Sequence, residues 1–184
     1  MTEEDVENLK SNIEIDRKQK DQFFGSGHPQ SPIQGSDLSK FKGLNYFPPR
    51  YEFRFELELK ENKNKTIINI KDTKNQDRIL IRWGVFQFKV DGKDCTLHVY
   101  KSNHEEERLF IPFRDKTSGK ETYGAGRYLD LESDKDQTSD GKWILDFNYA
   151  YNPWCAYSDD YACPFVPPEN WLDVEIKAGE KNYH

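Results

Sequence analysis

Tyr51, Phe53, Phe55, Leu57 and Leu59 alternate with Glu52, Arg54, Glu56 and Glu58. Successive side chains of an extended strand point to opposite faces, so this segment has one buried and one wet face and fits no helix. Similar short segments follow at residues 66–71, 78–83, 85–90, 95–101, 108–113, 127–131, 142–149 and 171–177. Two of them flank Asp91-Gly92, a tight-hairpin dipeptide in which glycine accepts the positive φ the turn needs. Nine short strands at this spacing predict a mainly β fold, an antiparallel β-sandwich or open barrel.

Such a fold needs a core, and aliphatic residues are scarce. All hydrophobic types reach 35% of the chain, and aromatics alone are 14%. Each aromatic ring can bury roughly 150–250 Å², enough to offset the shortage. Residues 1–24 carry the helical signal: Val6, Leu9 and Ile13 recur at three- and four-residue spacing behind a Thr2-Glu-Glu-Asp cap. The narrow stripe predicts an amphipathic N-terminal helical arm packed on the body, anchored by Phe23 and Phe24. Residues 25–50, with Pro29, Pro32, Gly35, Gly43, Pro48 and Pro49, form an irregular connection pinned by Phe41, Leu44, Tyr46 and Phe47. Residues 51–184 then make a single β domain, with a charged hairpin loop at 132–141 and a long aromatic loop at 150–170.

Several function classes are excluded. The net charge is −6 and the lysines are interspersed with carboxylates, which argues against nucleic acid. No apolar run approaches the roughly 18 residues of a membrane span. The acidic start, Met1-Thr-Glu-Glu-Asp-Val-Glu, lacks the basic and apolar stretches of a signal peptide, so a soluble, cytoplasmic protein is expected.

Chemistry concentrates between Phe113 and Asn170. Alternation along 142–152 places Trp143, Leu145, Phe147, Tyr149 and Tyr151 on one face and Ile144, Asp146, Asn148, Ala150 and Asn152 on the other. The polar row Asp146, Asn148, Asn152 could hold a polar ligand, position a water or satisfy the backbone of the following loop. Arg127 alternates inward with Leu129 and Leu131. A buried guanidinium needs a carboxylate or an anionic ligand, making it a structural clamp or a ligand anchor, with Asp115 and Asp146 as candidate partners. The glycines between Gly119 and Gly126 do not form a phosphate loop, because Glu121 stands where Ser or Thr is required and a strand follows. Asp115, Thr117 and Gly119 read as a turn in which oxygens capture backbone amides. Cys95 reads as a core residue. Cys155 and Cys163 do not match zinc-ligand spacing, and His28, His98, His104 and His184 are scattered, so neither a metal nor a cofactor is expected. A disulfide closing this short loop is geometrically possible and disfavoured in a reducing cytosol.

The strings Phe110-Ile-Pro-Phe-Arg-Asp-Lys-Thr-Ser-Gly-Lys-Glu-Thr-Tyr-Gly-Ala-Gly-Arg, Leu145-Asp-Phe-Asn-Tyr-Ala-Tyr-Asn-Pro-Trp-Cys-Ala-Tyr, Tyr161-Ala-Cys-Pro-Phe-Val-Pro-Pro-Glu-Asn and Ile176-Lys-Ala-Gly-Glu-Lys resemble an uncharacterised prokaryotic family, domain of unknown function 1684. Ser31-Pro-Ile and Gly43-Leu-Asn-Tyr-Phe-Pro-Pro extend the resemblance over nearly the whole chain. The matching positions, Asp115, Thr117, Tyr123, Gly126, Arg127, Asp146, Asn148, Asn152, Cys155, Cys163, Glu169 and Asn170, are mostly polar, which implies a shared polar site. Some relatives carry signal peptides, and there the two cysteines could pair.

Three readings follow. The first is binding of a small polar or anionic ligand where segment 113–127 meets loop 146–170, through Arg127, Asp115, Tyr123, Asn148, Asn152 and Asn170, with Tyr149 or Trp154 also lining the walls. The second is a hydrolase in which Asp146 or Glu169 activates water after burial has raised its pKa. The third is a protein-interaction module presenting the aromatic loop 149–165.

Overall fold

The computed structural model describes all residues, 1–184. Helix α1 (Glu3–Phe24) begins in a reciprocal cap: Thr2 accepts from the Asp5 N–H at 3.1 Å and Asp5 from the Thr2 N–H at 2.7 Å. That exchange satisfies two orphan amides. The apolar stripe is thin, with Ile13 and Phe24 buried and Val6 and Leu9 half-buried. Polar pins supplement it: Arg17 donates to the carbonyls of Phe47 and Asn148, and Lys20 pairs with buried Glu180 at 2.6 Å. Phe24 packs with Ile33 and Tyr157, whereas Phe23 is 37% exposed and anchors little.

The strands are β1 (Arg54–Leu57), β2 (Lys60–Glu61), β3 (Ile67–Lys71), β4 (Asp77–Val90), β5 (Lys93–Lys101), β6 (Leu109–Phe113), β7 (Arg127–Leu131) and β8 (Trp143–Asp146). All pairs are antiparallel. The larger sheet runs β2-β4-β5-β6-β7, with β3 also paired to β4, and β1 and β8 form a second sheet. The sheets do not close into a barrel. Asp91 and Gly92 turn β4 into β5 with φ of 49° and 77°, as the dipeptide predicts.

Four segments differ from the periodicity. The stretches 78–83 and 85–90 form one strand, β4, interrupted by a bulge between Arg82 and Gly84. An extra residue there moves the core-facing set to the other parity, so Phe86, Phe88 and Val90 enter the core. Gly84 permits the close approach of β2, since a Cβ would lie 2.7 Å from the Lys60 carbonyl. Segment 142–149 is strand only to Asp146, whose carboxylate captures the Asn148 N–H and turns residues 147–149 into a 3₁₀ turn. The expected aromatic wall therefore ends at Phe147, and Tyr149 is 39% exposed. Residues 133–136 form a short helix, α2, inside the predicted charged loop. Segment 171–177 alternates as a strand does, with Leu172, Val174 and Ile176 buried, yet joins no ladder. Its backbone is held instead by Arg114 and Lys116 and by the side chains of Asp115 and Arg127.

The core fills the space between the sheets. Phe86, Leu97, Ile111 and Leu129 from the larger sheet meet Leu145 and Phe147, and Ile176 closes the end. The Phe147 ring packs edge-on against Phe55 and Phe113, at centroid distances of 6.1 and 5.2 Å. On the opposite face of the larger sheet, the register aligns Arg82 with Tyr100, Tyr100 with Phe110, and Phe110 with Asp130. The aromatic loop lies over that face, joined by the Tyr128–Tyr151 bridge and by the Tyr128 hydroxyl, which donates to the Pro164 carbonyl. No helix is long and apolar enough to cross a membrane.

Candidate functional site

Most of the side chains expected to bind a ligand satisfy the protein's own backbone. Arg127 is fully buried, and its Nη atoms donate to the carbonyls of Ala178, Glu180 and Ile176. Asp115 sits 3.5 Å away as its carboxylate partner and also accepts from Thr117 and the Ile176 N–H. Asn148 brackets Arg50 with two 2.8 Å bonds, one to its N–H and one to its carbonyl. Asn170 takes the place of missing sheet bonds where β5 and β6 splay: it accepts from the His98 N–H and donates to the carbonyls of His98 and Pro112. Asn152 donates to the Lys181 carbonyl. Tyr123 is half-buried, with its hydroxyl 3.7 Å from the Cys155 sulfur. The structure thus does not gather the predicted ligand residues around one cavity. Arg127 occupies the junction of 113–127 with the C-terminal segment as a clamp.

Glu180 went unpredicted and is the hub of that junction. It is 1% exposed and accepts from the Asn152 N–H and the Tyr157 hydroxyl while pairing with Lys20. Gly179 makes the junction possible with φ of 76°, its Cα so close to the 147–150 turn that a Cβ would lie 2.7 Å from two carbonyls. The only sequence signal for Glu180 was its place in Ile176-Lys-Ala-Gly-Glu-Lys.

The two proposed bases differ. Glu169 is locked by Arg82, at 2.9 Å, and by the Tyr100 hydroxyl; burial pushes its pKa upward, but those bonds outweigh it and leave the carboxyl below its ordinary value. Such a carboxylate is a weak proton acceptor near neutrality. Asp146 is 5% exposed, and burial raises its pKa against the opposing bonds from Asn148. It borders a slot of about 450 Å³ between β7 and β8, under Leu9 and Asn12 of α1. Asp130 and Asp136 line the same slot, and burial raises both.

The aromatic loop mostly faces inward. Tyr157 is buried and stacks edge-on with Phe24 and Tyr183, and Trp154 contacts Phe24 and Tyr161. Only Tyr149 and Phe165 among its rings are markedly exposed. The loop binds the arm and the C-terminal tail to the body.

Where the loop leaves the outer face of the larger sheet uncovered, a cleft of about 330 Å³ opens. Leu80, Phe110, Tyr128 and Tyr151 form its apolar walls, and Arg78 and Arg108 stand at its rim. Arg78 uses Nε on Asp72 at 2.9 Å and Nη2 on the Ala162 carbonyl, which leaves Nη1 unbonded. Arg108 reaches Glu106 through Nε at 3.2 Å and Asp130 through Nη1 at 3.5 Å, leaving Nη2 unbonded. Both side chains are about half exposed, at 41% and 46%. Asp72 is saturated beneath, accepting from the N–H groups of Lys74 and Gln76 as well as from Arg78. Sequence reading missed both arginines because each sits singly at a strand start; only the strand order brings them together. A wider depression of about 580 Å³ between Trp83 and Trp143 is less suited to a ligand, since Lys65 and Lys101 already lie 4.3 and 3.9 Å from the Trp83 ring centre.

Comparison with known proteins adds family and fold. No curated protein matches the chain. A solution NMR structure of the uncharacterized protein from gene locus rrnAC0354 of Haloarcula marismortui is 36% identical, with a TM-score of 0.72 over 98% of this chain and 97% of that one. The profile of the family described as protein of unknown function (DUF1684) matches residues 39–181, and the chain belongs to that family.

Proposed function

We propose that this protein binds a small organic anion, a carboxylate or phosphate on a flat apolar body, in the cleft between Arg78 and Arg108. The observation that carries this reading is the pair of half-exposed guanidiniums, each with a free nitrogen, at the rim of an aromatic-walled cleft. Apolar walls with a few convergent polar groups are the ordinary make-up of small-molecule sites, and guanidinium is the group best matched to planar anions. Tyr151 and Pro164 belong to the loop in which a site was expected, so the ligand class stays and the charged anchors move.

A thermal-shift screen of aromatic and aliphatic carboxylates and phosphates tests this reading, with inorganic phosphate as the body-free control. Organic anions are expected to raise the Tm of the wild type and to lose most of that effect on Arg108→Ala. Stabilisation by no anion, or equal stabilisation of the variant, would contradict it.

A second reading rests on the slot beside Asp146. Three carboxyls with raised pKa values in one cleft are suited to proton transfer, so water activation by Asp146 remains the enzymatic alternative. Hydrolysis of ester or amide substrates lost in Asp146→Asn, with the fold retained, would favour it over pure binding.

A further inference from the structure

Cys155 and Cys163 lie on the loop that overlies the outer sheet face, and neither enters the cleft. The Cys163 sulfur accepts the Cys155 N–H at 3.3 Å. The Tyr123 hydroxyl touches the Cys155 sulfur at 3.7 Å. The arrangement is held from outside the loop: Thr73 receives the Cys163 N–H on its Oγ1 and donates its own N–H to the Cys163 carbonyl at 3.1 Å. Cys155 is half-buried, and Cys163 is 8% exposed. The third cysteine, Cys95, lies in the core away from this pair.

We propose that Cys155 and Cys163 form a peroxide-reactive dithiol site, with Cys163 as the attacking sulfur and Cys155 as the resolving one. The assignment of roles rests on asymmetry. The Cys163 sulfur accepts the Cys155 N–H, a bond that favours the thiolate, and the nearby Arg78 charge favours it too. Together these outweigh burial and lower its thiol below the ordinary cysteine value. The Cys155 thiol moves up instead, its charged form disfavoured by the neighbouring Cys163 sulfur and by partial burial. Of the two, Cys163 is therefore the sulfur better placed to carry the thiolate.

The chemistry balances with a hydroperoxide as oxidant. The Cys163 thiolate attacks one peroxide oxygen, forming an S–O bond as the O–O bond breaks. The departing hydroxide takes a proton and leaves as water. The Cys155 sulfur then attacks the sulfenic sulfur; the S–S bond forms, the S–O bond breaks, and the released hydroxide carries away the Cys155 proton as a second water. Two thiols supply two electrons and one peroxide accepts them.

The test uses the full-length reduced protein and hydrogen peroxide near neutral pH. Free thiols counted after denaturation are expected to fall from three to one, and peptide mapping without reductant to join residue 155 to residue 163. Cys163→Ser should keep both remaining thiols at the same exposure. Cys155→Ser should stop at a sulfenic acid on Cys163 that a dimedone probe traps. Thiol loss no faster than that of the unfolded chain in urea, or undiminished oxidation of Cys155 in Cys163→Ser, would overturn the proposal. Neither cysteine lines the anion cleft, and the oxidation is run without ligand on variants that leave Arg78 and Arg108 in place, so failure here and failure of the ligand screen are told apart.

Discussion

Arg127 illustrates how a polar residue in a hydrophobic alternation is resolved by its surroundings. Inward alternation demanded a partner for its charge, and the structure provides Asp115 together with three carbonyls of a segment that lacks a sheet neighbour. Replacing it with Met would leave those carbonyls and the Asp115 charge buried and unpaired. A loss of about 3–5 kcal/mol in urea unfolding is expected, with no rescue by Lys, which cannot fork to several acceptors. A loss below about 1 kcal/mol would show that the clamp matters little. The two carboxyls proposed as bases predict opposite pH behaviour. Asp146, raised in the folded state, stabilises the fold relative to its ionised form at low pH, and that contribution falls away as pH rises from the ordinary aspartate range through the folded value. Glu169, lowered in the folded state, contributes fully above the ordinary glutamate range, and its contribution is lost as pH falls through the folded value. Unfolding curves from acid to neutral pH should therefore tilt toward greater stability at high pH in Asp146→Asn and away from it in Glu169→Gln, each relative to wild type. Parallel curves for all three proteins would refute both assignments.

At the level of elements, α1 and the C-terminal segment depend on each other through one buried ion pair. The helix has too narrow an apolar stripe to hold itself by burial, so Lys20 on Glu180 and Arg17 on the 47 and 148 carbonyls fix its position. Lys20→Met would leave Glu180 charged, 1% exposed and without its cation. The expected cost is about 3 kcal/mol, with amide exchange rising along residues 13–24 and 176–181 together. Faster exchange in the helix alone would mean the two elements are not coupled. The helix and eight of the nine expected strand segments were legible because their periodicity is local; two of the eight, flanking Gly84, merge into β4 for a reason equally local, the bulge that ends at that glycine. Segment 171–177 was misread because periodicity reports which face is buried, and the identity of the hydrogen-bond partner is a tertiary fact. Here the partners are the irregular backbone of Arg114 and Lys116 and the side chains of Arg127 and Asp115. Phe147–Tyr149 was misread because one side-chain cap on Asp146 overrode the alternation.

Over the whole molecule, the polar residues that carry the family resemblance mainly join separate parts of the chain. Asn148 holds residue 50, Asn170 holds the splayed β5–β6 edge, and Arg127 and Asp115 hold the tail. A polar motif was thus visible in the sequence, but the motif could not distinguish a ligand contact from a tie between distant backbones. The candidate site lies on the opposite face of the larger sheet, where Arg78 and Arg108, 30 positions apart, converge only because β4, β5 and β6 are neighbours. The most direct measurement is an amide chemical-shift titration of the labelled protein with phenyl phosphate. The account predicts saturable shifts centred on residues 78–80, 108–110, 128 and 151, which vanish in Arg108→Ala. Shifts centred on the Asp146 slot, or no saturable shifts at all, would contradict it.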